Sequence, residues 1–481
     1  MTDSFKNLSI IILAAGKGKR MKSDIPKVLH KISFKPIIYY ILKEAVSLGP
    51  KNIFVVAGFK GELVERYVSD NFPGVKTVFQ EKQLGTADAV AALAGFKKEL
   101  GKNCLVLAGD MPLILSETLK KFVEFKISTR CGAALVTSFL DNPGGYGRII
   151  KDDSGNIVRI VEEADATLEE KRIHEINPSI YCFDTDLLFE YISRVKPENS
   201  QNEFYLTDLI EKFVSAGDKV VCFILDDGLQ IEGINDRVQL SALENIMRRR
   251  INEDLMLSGV SIRDPENTYI DQEVEIGKDT VIEPFSFIQG KTKIGRNCII
   301  GPLAQIEDSM IGDGTKVNKS VIQGAIIGRS NNIGPTSYIR PQTVTGDNVK
   351  IGACCEVKKS TIASGSKIPH LSYIGDAQIG SGVNVGAATV TCNYDGFLKS
   401  KTIIEDGVFI GSDTMLVAPV RIGSDSITAA GSVISKDVPP GSLAIERSRQ
   451  LNIENGAVKF RNKRISQNEK IDKDTEKGNN K

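Results

Sequence analysis

The strongest constraint on how this chain can fold is a repeat. After Ser261, Ile-Gly pairs begin at Ile276, Ile294, Ile300, Ile311, Ile327, Ile333, Ile351, Ile374, Ile379, Ile410 and Ile422. Several are six or eighteen residues apart: 276 to 294, 294 to 300, 327 to 333, and 333 to 351. A period of six with an aliphatic residue at one position predicts a parallel β-helix. Six residues make one flat side of a triangular coil and eighteen complete the turn. The aliphatic residue points inward onto its equivalents above and below, and glycine permits the corner. Such a stack serves as a scaffold or as a platform for chemistry, and the repeat alone does not choose between them. The irregular spacing from 379 to 410 predicts a loop leaving the coil, where functional loops are found.

The N-terminal half has a different texture. From Ile10 to Asn235, short β-rich runs (Ile10–Leu13, Asn52–Ala57, Cys104–Ala108, Ala133–Thr137, Val220–Leu225) alternate with amphipathic stretches such as Ile37–Leu48, Ala87–Glu99 and Ser116–Lys126. This alternation predicts an α/β Rossmann-like domain, a mostly parallel sheet with helices on both faces, binding ligands at the carboxyl ends of its strands. Asp236-Arg237-Val238-Gln239 has the spacing of a capping box, and apolar residues then recur at helical intervals up to Gly259. The expected organisation is therefore a domain over 1–235, a connecting helix over 236–260, a β-helix over 261–449 and a disordered polar tail over 450–481.

Composition excludes several classes. Lys plus Arg number 61 and Asp plus Glu number 61, so net charge gives no reason to expect nucleic acid or an anionic membrane as partner. The apolar run Ile10–Ala15 is too short to span a bilayer, and no cleavage site follows a longer one. The cysteines at 104, 131, 182, 222, 298, 354, 355 and 392 contain no C-x-x-C pair, which points to free thiols in a cytoplasmic protein. Of the three histidines, His30 reads as a packing residue and His174 as exposed, while His370 lies inside the repeat.

Leu13-Ala14-Ala15-Gly16-Lys17-Gly18-Lys19-Arg20-Met21 follows the first strand directly. Taken alone it fits both a structural turn and a phosphate loop. Pro26-Lys27, Gln80, Gln83-Leu84-Gly85-Thr86 and the strand-ending Gly109-Asp110 follow in order. With Gly145 to Ile149, Ile160-Val161-Glu162, Glu175-Ile176-Asn177 and Glu232-Gly233-Ile234-Asn235, the set resembles the sugar-nucleotide pyrophosphorylase family. That resemblance implies in-line attack of a sugar-1-phosphate on the α-phosphorus of UTP, releasing pyrophosphate. It implies Arg20 and Lys27 at the phosphates and Asp110 and Asn235 as Mg2+ ligands. Leu13, Ala14, Ala15, Gly16, Gln80, Gly85, Thr86 and Gly109 would line the nucleotide site, and Gly147, Glu162 and Asn177 the sugar site.

The repeat region carries Arg340-Pro341, Glu356-Val357-Lys358-Lys359, His370 to Ala377, Asn384 to Ala387, Thr391 to Gly396 and Val408 to Pro419. These strings are similar to the hexapeptide-repeat acetyltransferases, whose coil is a left-handed β-helix and whose chains form homotrimers. The similarity implies His370 as general base on the amine of glucosamine-1-phosphate, with Glu356 orienting it and acetyl-CoA as co-substrate. It places Arg340, Lys358 and Lys399 at the sugar phosphate and Tyr373 and Asn384 at the sugar. Ala387, Asn393, Tyr394, Ser412, Ala430 and Arg447 would face coenzyme A. Both halves together resemble a bifunctional family that acetylates glucosamine-1-phosphate and then uridylylates N-acetylglucosamine-1-phosphate to UDP-N-acetylglucosamine.

Six positions at four places depart from the pattern. Ala87-Asp88 replaces Gly-His, Pro178-Ser179 replaces Thr-Gly, Ala108 replaces a larger or polar residue, and Ala388 stands where glycine is common. Two competing readings are a nucleotidyltransferase whose β-helix only oligomerises and a non-enzymatic assembly protein. The polar set around His370 argues against the first, and the retained Arg20, Lys27, Asp110 and Asn235 against the second.

Overall fold

The computed structural model describes residues 5–478, with side chains to residue 471. The chain divides into two compact units, the first holding residues 1–293 and 300–307, the second 294–299 and the chain from 308 onward.

The first unit is built on a ten-stranded sheet. Its elements are β1 (Leu8–Ala14), α1 (Ile37–Ser47), β2 (Asn52–Ala57), α2 (Gly61–Asn71), β3 (Lys76–Phe79), α3 (Thr86–Ala91), β4 (Asn103–Ala108) and α4 (Ser116–Thr129). There follow β5 (Ala133–Phe139), β6 (Gly147–Lys151), β7 (Ile157–Val161), β8 (Glu175–Asn177), β9 (Tyr181–Asp184), α5 (Thr185–Ile192), α6 (Asp208–Ser215) and β10 (Val220–Ile224). The order is β3-β2-β1-β4-β9-β5-β8-β6-β7, with β10 beside β5. Strands β3, β2, β1 and β4 are parallel, as the strand–helix alternation predicts.

From β9 onward the sheet departs from the mostly parallel expectation: β9 runs antiparallel to β4 and β5, and β8, β6 and β7 join antiparallel. The missed strands are short and bounded by turns. The β6–β7 hairpin closes on Asp152, whose Oδ1 accepts from Ser154 N at 2.9 Å and Asn156 N at 2.8 Å. Buried side chains pack on both faces of β1 and β4, Ile10, Ile12, Leu105 and Leu107 on one and Ile11, Cys104 and Val106 on the other. That two-sided burial explains their near-continuous apolar sequence.

The N-cap half of the capping box is realised in α7 (Arg237–Leu257): Asp236 Oδ1 accepts from Val238 N and Gln239 N, both at 2.9 Å, while the Gln239 side chain reaches one residue further back, to Asn235 N. The unit ends in the first coils of the repeat, where Phe287–Gln289 pairs in parallel with Tyr269–Ile270 and with Gln305–Glu307.

The second unit has the left-handed β-helix architecture expected of the repeats. Three all-parallel ladders carry three inward columns. One runs Val317, Ile333, Ile351, Ile368; the second Ile322, Ile339, Val357, Ile374; the third Ile362, Ile379, Ile404, Ile422. All are buried. The register step is eighteen from Ile333 to Ile351 and from Ile404 to Ile422, but 25 from Ile379 to Ile404. The surplus is the excursion predicted between 379 and 410, which contains the Tyr394–Lys399 bridge.

Buried hydroxyls stitch the corners: Ser337 Oγ donates to Gly352 O at 2.5 Å and Ser372 Oγ to His370 O at 2.8 Å. Cys355 takes the same place with its thiol 3.3 Å from Ile368 O, which accounts for its burial. All eight cysteines are free. The tail, expected to be disordered, forms the helix α8 (Gly456–Gly478). Residues 457–471 contain no glycine or proline and many Lys, Arg, Glu and Gln, which favour a helix, yet all are exposed.

The stacked columns generate a stability prediction. Ile351→Ala removes a fully buried side chain between Ile333 and Ile368, where no neighbour can collapse without breaking register. It should destabilise the β-helix by about 2–5 kcal/mol, read as a lower midpoint in chemical denaturation followed by circular dichroism.

Candidate functional sites

The first site lies at the carboxyl ends of β1 and β4. A cleft of about 580 Å³ is lined by Leu13 to Arg20, Lys27, Gln80, Gln83, Gly85, Thr86, Ala108, Asp110, Ser179, Glu203 and Asn235. The loop after β1 reaches it because Gly18 is left-handed (φ 59°) and any Cβ there would sit 2.8 Å from Lys27 Cβ. Gly109 N donates to Leu13 O at 2.9 Å, and a Cβ on Gly109 would meet that oxygen at 2.8 Å. Glycine is therefore what lets β4 deliver Asp110 beside the loop.

At the centre, the Lys27 ammonium donates to Asp110 Oδ2 and, at 3.2 Å, to Asn235 Oδ1. Asn235 is held by its own backbone, whose N–H donates to Gln239 Oε1 at 2.7 Å, and Ile234 N donates to Asp110 O at 3.0 Å. The helix cap read from the sequence thus also fixes this residue. Gln80, 6% exposed, donates from Nε2 to Gly85 O at 3.0 Å and to Asp88 Oδ2 at 2.7 Å. The Thr86 hydroxyl accepts from Leu206 N at 2.9 Å. Arg20 is exposed on the rim and makes no hydrogen bond among the described residues.

The residues expected at the sugar lie on the antiparallel side of the sheet. A Cβ on Gly147 would meet Ile160 Cγ2 at 3.0 Å and Glu162 Oε2 at 3.5 Å, so β6 passes close to Glu162. Glu162 accepts from Thr207 Oγ1 at 3.0 Å, and burial pushes its carboxyl above the usual range. Asn177 is buried, donating to Tyr181 OH at 2.7 Å and accepting from Ser179 N at 3.2 Å. His30 is buried and its pKa lowered, first by burial and then by Arg237, whereas His174 is exposed, each as expected.

The second site lies on the β-helix. Parallel register stacks Tyr338, Glu356 and Tyr373 on one face and Ala353 above His370 on the next. His370 is exposed at the end of its strand. Glu356 Oε1 accepts from Arg340 Nη1 at 2.9 Å, and no hydrogen bond joins it to His370 among the described residues. Asp376, to which the sequence reading gave no role, is a hub: it accepts from Asn393 Nδ2 at 2.5 Å and lies 3.9 Å from Lys358 Nζ. The excursion also brings in Lys399, whose pKa is lowered by the neighbouring Lys358 amine. Two cations in contact favour a shared anion.

Further along, Asp413 N donates to Ala387 O, Gly431 N to Ser412 O and Arg447 Nη1 to Ala430 O, at 2.7 to 2.8 Å. Three residues expected at coenzyme A, Ala387, Ser412 and Ala430, thus line successive coils, and the fourth, Arg447, reaches Ala430. Asn384 pairs with Lys367 and Phe409 in the ladder, and exposed Tyr394 donates to Gly396 O within the excursion. The hub at Asp376 was hidden because it joins residues from three coils and a loop.

A nucleotidyl transferase family profile matches residues 9–229, and a GMPPB C-terminal domain profile matches 265–340 and 321–421. The chain is 49% identical to the bifunctional protein GlmU of Syntrophomonas wolfei, over 92% of this chain and 98% of that one. It is 48% identical to that of Pelotomaculum thermopropionicum, over 95% and 100%, and 47% identical to that of Carboxydothermus hydrogenoformans, over 92% and 98%. The chain belongs to the bifunctional GlmU family. Within this GlmU-family chain, two departures fall where the backbone favours glycine: Ser179 (φ 63°) and Ala388 (φ 61°) are left-handed, the conformation that glycine adopts freely.

Beside Glu162, half-buried Asp208 has its pKa pushed up to about 6, first by burial and then by Glu211. A raised folded-state pKa favours the folded state below the unfolded value near 4, and that contribution is lost as pH rises through about 6. Asp208→Asn should therefore raise stability above pH 6, by about 1 kcal/mol given solvent screening, and confer no gain below pH 4. Chemical unfolding at both pH values measures this.

Proposed function

We propose that the chain acetylates glucosamine-1-phosphate at the β-helix site and uridylylates the product in the N-terminal cleft, giving UDP-N-acetylglucosamine and pyrophosphate. The observation carrying the reading is the Lys27 ammonium bridging Asp110 and Asn235 at the floor of a glycine-lined cleft. Functionally, residues 1–235 form the nucleotidyltransferase, 236–260 the linker and 261–449 the acetyltransferase.

In the cleft, Leu13 to Gly16, Gly85 and Gly109 let backbone approach the nucleotide, and Gln80 and Thr86 lie at the base. Arg20 and Lys27 neutralise phosphate oxygens, so the sugar phosphate can attack in line without a covalent intermediate. Gly147, Glu162 and Asn177 hold the sugar. Two oxygens that already converge on a cation fit Mg2+, which needs few protein ligands when waters and phosphates supply the rest. Asp110 and Asn235 would hold the ion, which when bound supplies charge neutralisation at the phosphates.

On the β-helix, Arg340, Lys358 and Lys399 bind the sugar phosphate, with Glu356 orienting Arg340 through their ion pair. His370 takes the proton from the amine as it attacks the thioester, and its exposure leaves the imidazole open to substrate. Tyr373, Asn384 and Asn393 position the sugar and acyl group, while Ala387, Tyr394, Ser412, Ala430 and Arg447 face coenzyme A. The assembly is a cytoplasmic homotrimer supplying cell-wall and lipopolysaccharide precursors. Among the described residues, no helix is long and apolar enough to cross a membrane.

A coupled assay with glucosamine-1-phosphate, acetyl-CoA, UTP and Mg2+, following thiol and pyrophosphate separately, tests both halves. His370→Ala should lower thiol release about 10²-fold or more and leave pyrophosphate release from supplied N-acetylglucosamine-1-phosphate intact. Asp110→Ala should do the reverse. Wild-type protein that forms pyrophosphate but never releases thiol would reduce the β-helix to a scaffold.

A further inference from the structure

Gln80 stands at the end of β3, its backbone N–H donating to Ala57 O at 2.8 Å. Its side-chain amide has two N–H donors and one carbonyl acceptor. Both donors are spent inside the protein, on Gly85 O and on the Asp88 carboxylate. The oxygen has no protein partner among the described residues, is not a sealed-off buried atom, and belongs to a residue lining the cleft. It is therefore the face that Gln80 presents to a ligand. Turning the amide over would set that oxygen against two acceptors with no donor between them, so chemistry decides the orientation.

Both acceptors are firmly placed. Gly85 (φ 127°) packs so closely that a Cβ would lie 2.4 Å from Phe204 O. Asp88 sits in the first turn of α3, and the preceding Ala87 N donates to Phe204 O at 2.9 Å.

We infer that Asp88 is a specificity-determining positioning residue: it locks Gln80 as an acceptor, so that the cleft selects a pyrimidine bearing an N3–H. Uracil and thymine carry that donor, whereas cytosine has a lone pair at N3, which an oxygen repels. The inference rests on the cleft being the nucleotide site with Gln80 at the base. Replacing the carboxylate, which can only accept, by an amide of the same shape, which presents either its oxygen or its NH2, weakens the lock on that side, and alanine removes it.

The experiment measures kcat/KM for UTP and for CTP by pyrophosphate release with N-acetylglucosamine-1-phosphate and Mg2+. It compares wild type, Asp88→Asn, Asp88→Ala and Gln80→Ala, with thiol release from the same preparations reporting a folded chain. The UTP:CTP ratio within one variant does not depend on its active fraction. Asp88→Asn and Asp88→Ala should each lower the ratio about tenfold or more, partly by raising CTP turnover, with thiol release unchanged. If the ratio stays within about twofold of wild type in both while Gln80→Ala collapses it, Asp88 does not orient the amide and the inference fails alone. If Gln80→Ala also leaves the ratio intact, Gln80 does not read the base, and the assignment of the base site falls with it.

Discussion

Both units depend on parallel strand pairing. Two parallel strands cannot be joined by a tight turn, so the chain must travel away and return before the next hydrogen-bonded row begins. In the first unit the return path is a helix, and Leu13↔Ala108 and Leu13↔Val56 become neighbours across long stretches of sequence. In the second it is the rest of one coil, and Tyr338, Glu356 and Tyr373 stack at intervals of eighteen and seventeen. Each arrangement aligns all strand ends at one level. Residues from distant segments meet there without any being placed by local structure.

Electrostatics then gives each site its character. In the cleft, one ammonium is shared by a carboxylate and an amide oxygen, so the two acceptors already face a positive charge. On the β-helix the imbalance runs the other way. Lys358 and Lys399 crowd each other and Asp376 only partly offsets them, an arrangement whose repulsion an anion would relieve. The glycines serve these centres by permitting close approach: Gly18 beside Lys27 and Gly109 beside Leu13 leave no room for a Cβ.

The departures from the family pattern separate into two kinds. Ser179 and Ala388 occupy left-handed backbone that glycine would adopt more easily, so they bear on strain. Asp88 is different, because its carboxylate reaches the amide of Gln80, so it bears on what the cleft can recognise. Cys355 fills with its thiol the corner position that serines fill in the neighbouring coils.

Periodicity and local chemistry were legible in the sequence. The aliphatic period of six dictated the coil, the D-x-x-Q box dictated the start of α7, and strand–helix alternation dictated the parallel half of the first sheet. These signals are local or strictly repeating, so a linear reading recovers them. The antiparallel strands β6 to β9 escaped because segments of three to five residues carry too little alternation to stand out. The helical tail escaped because propensity without burial reads as disorder. The identities of Lys27, Asp110 and Asn235 were legible, but their convergence on one ammonium was not. The partner of Glu356, the hub at Asp376 and the lock between Asp88 and Gln80 were decided by tertiary structure alone. Each is a contact between side chains that only crossovers and coil stacking bring within hydrogen-bond range.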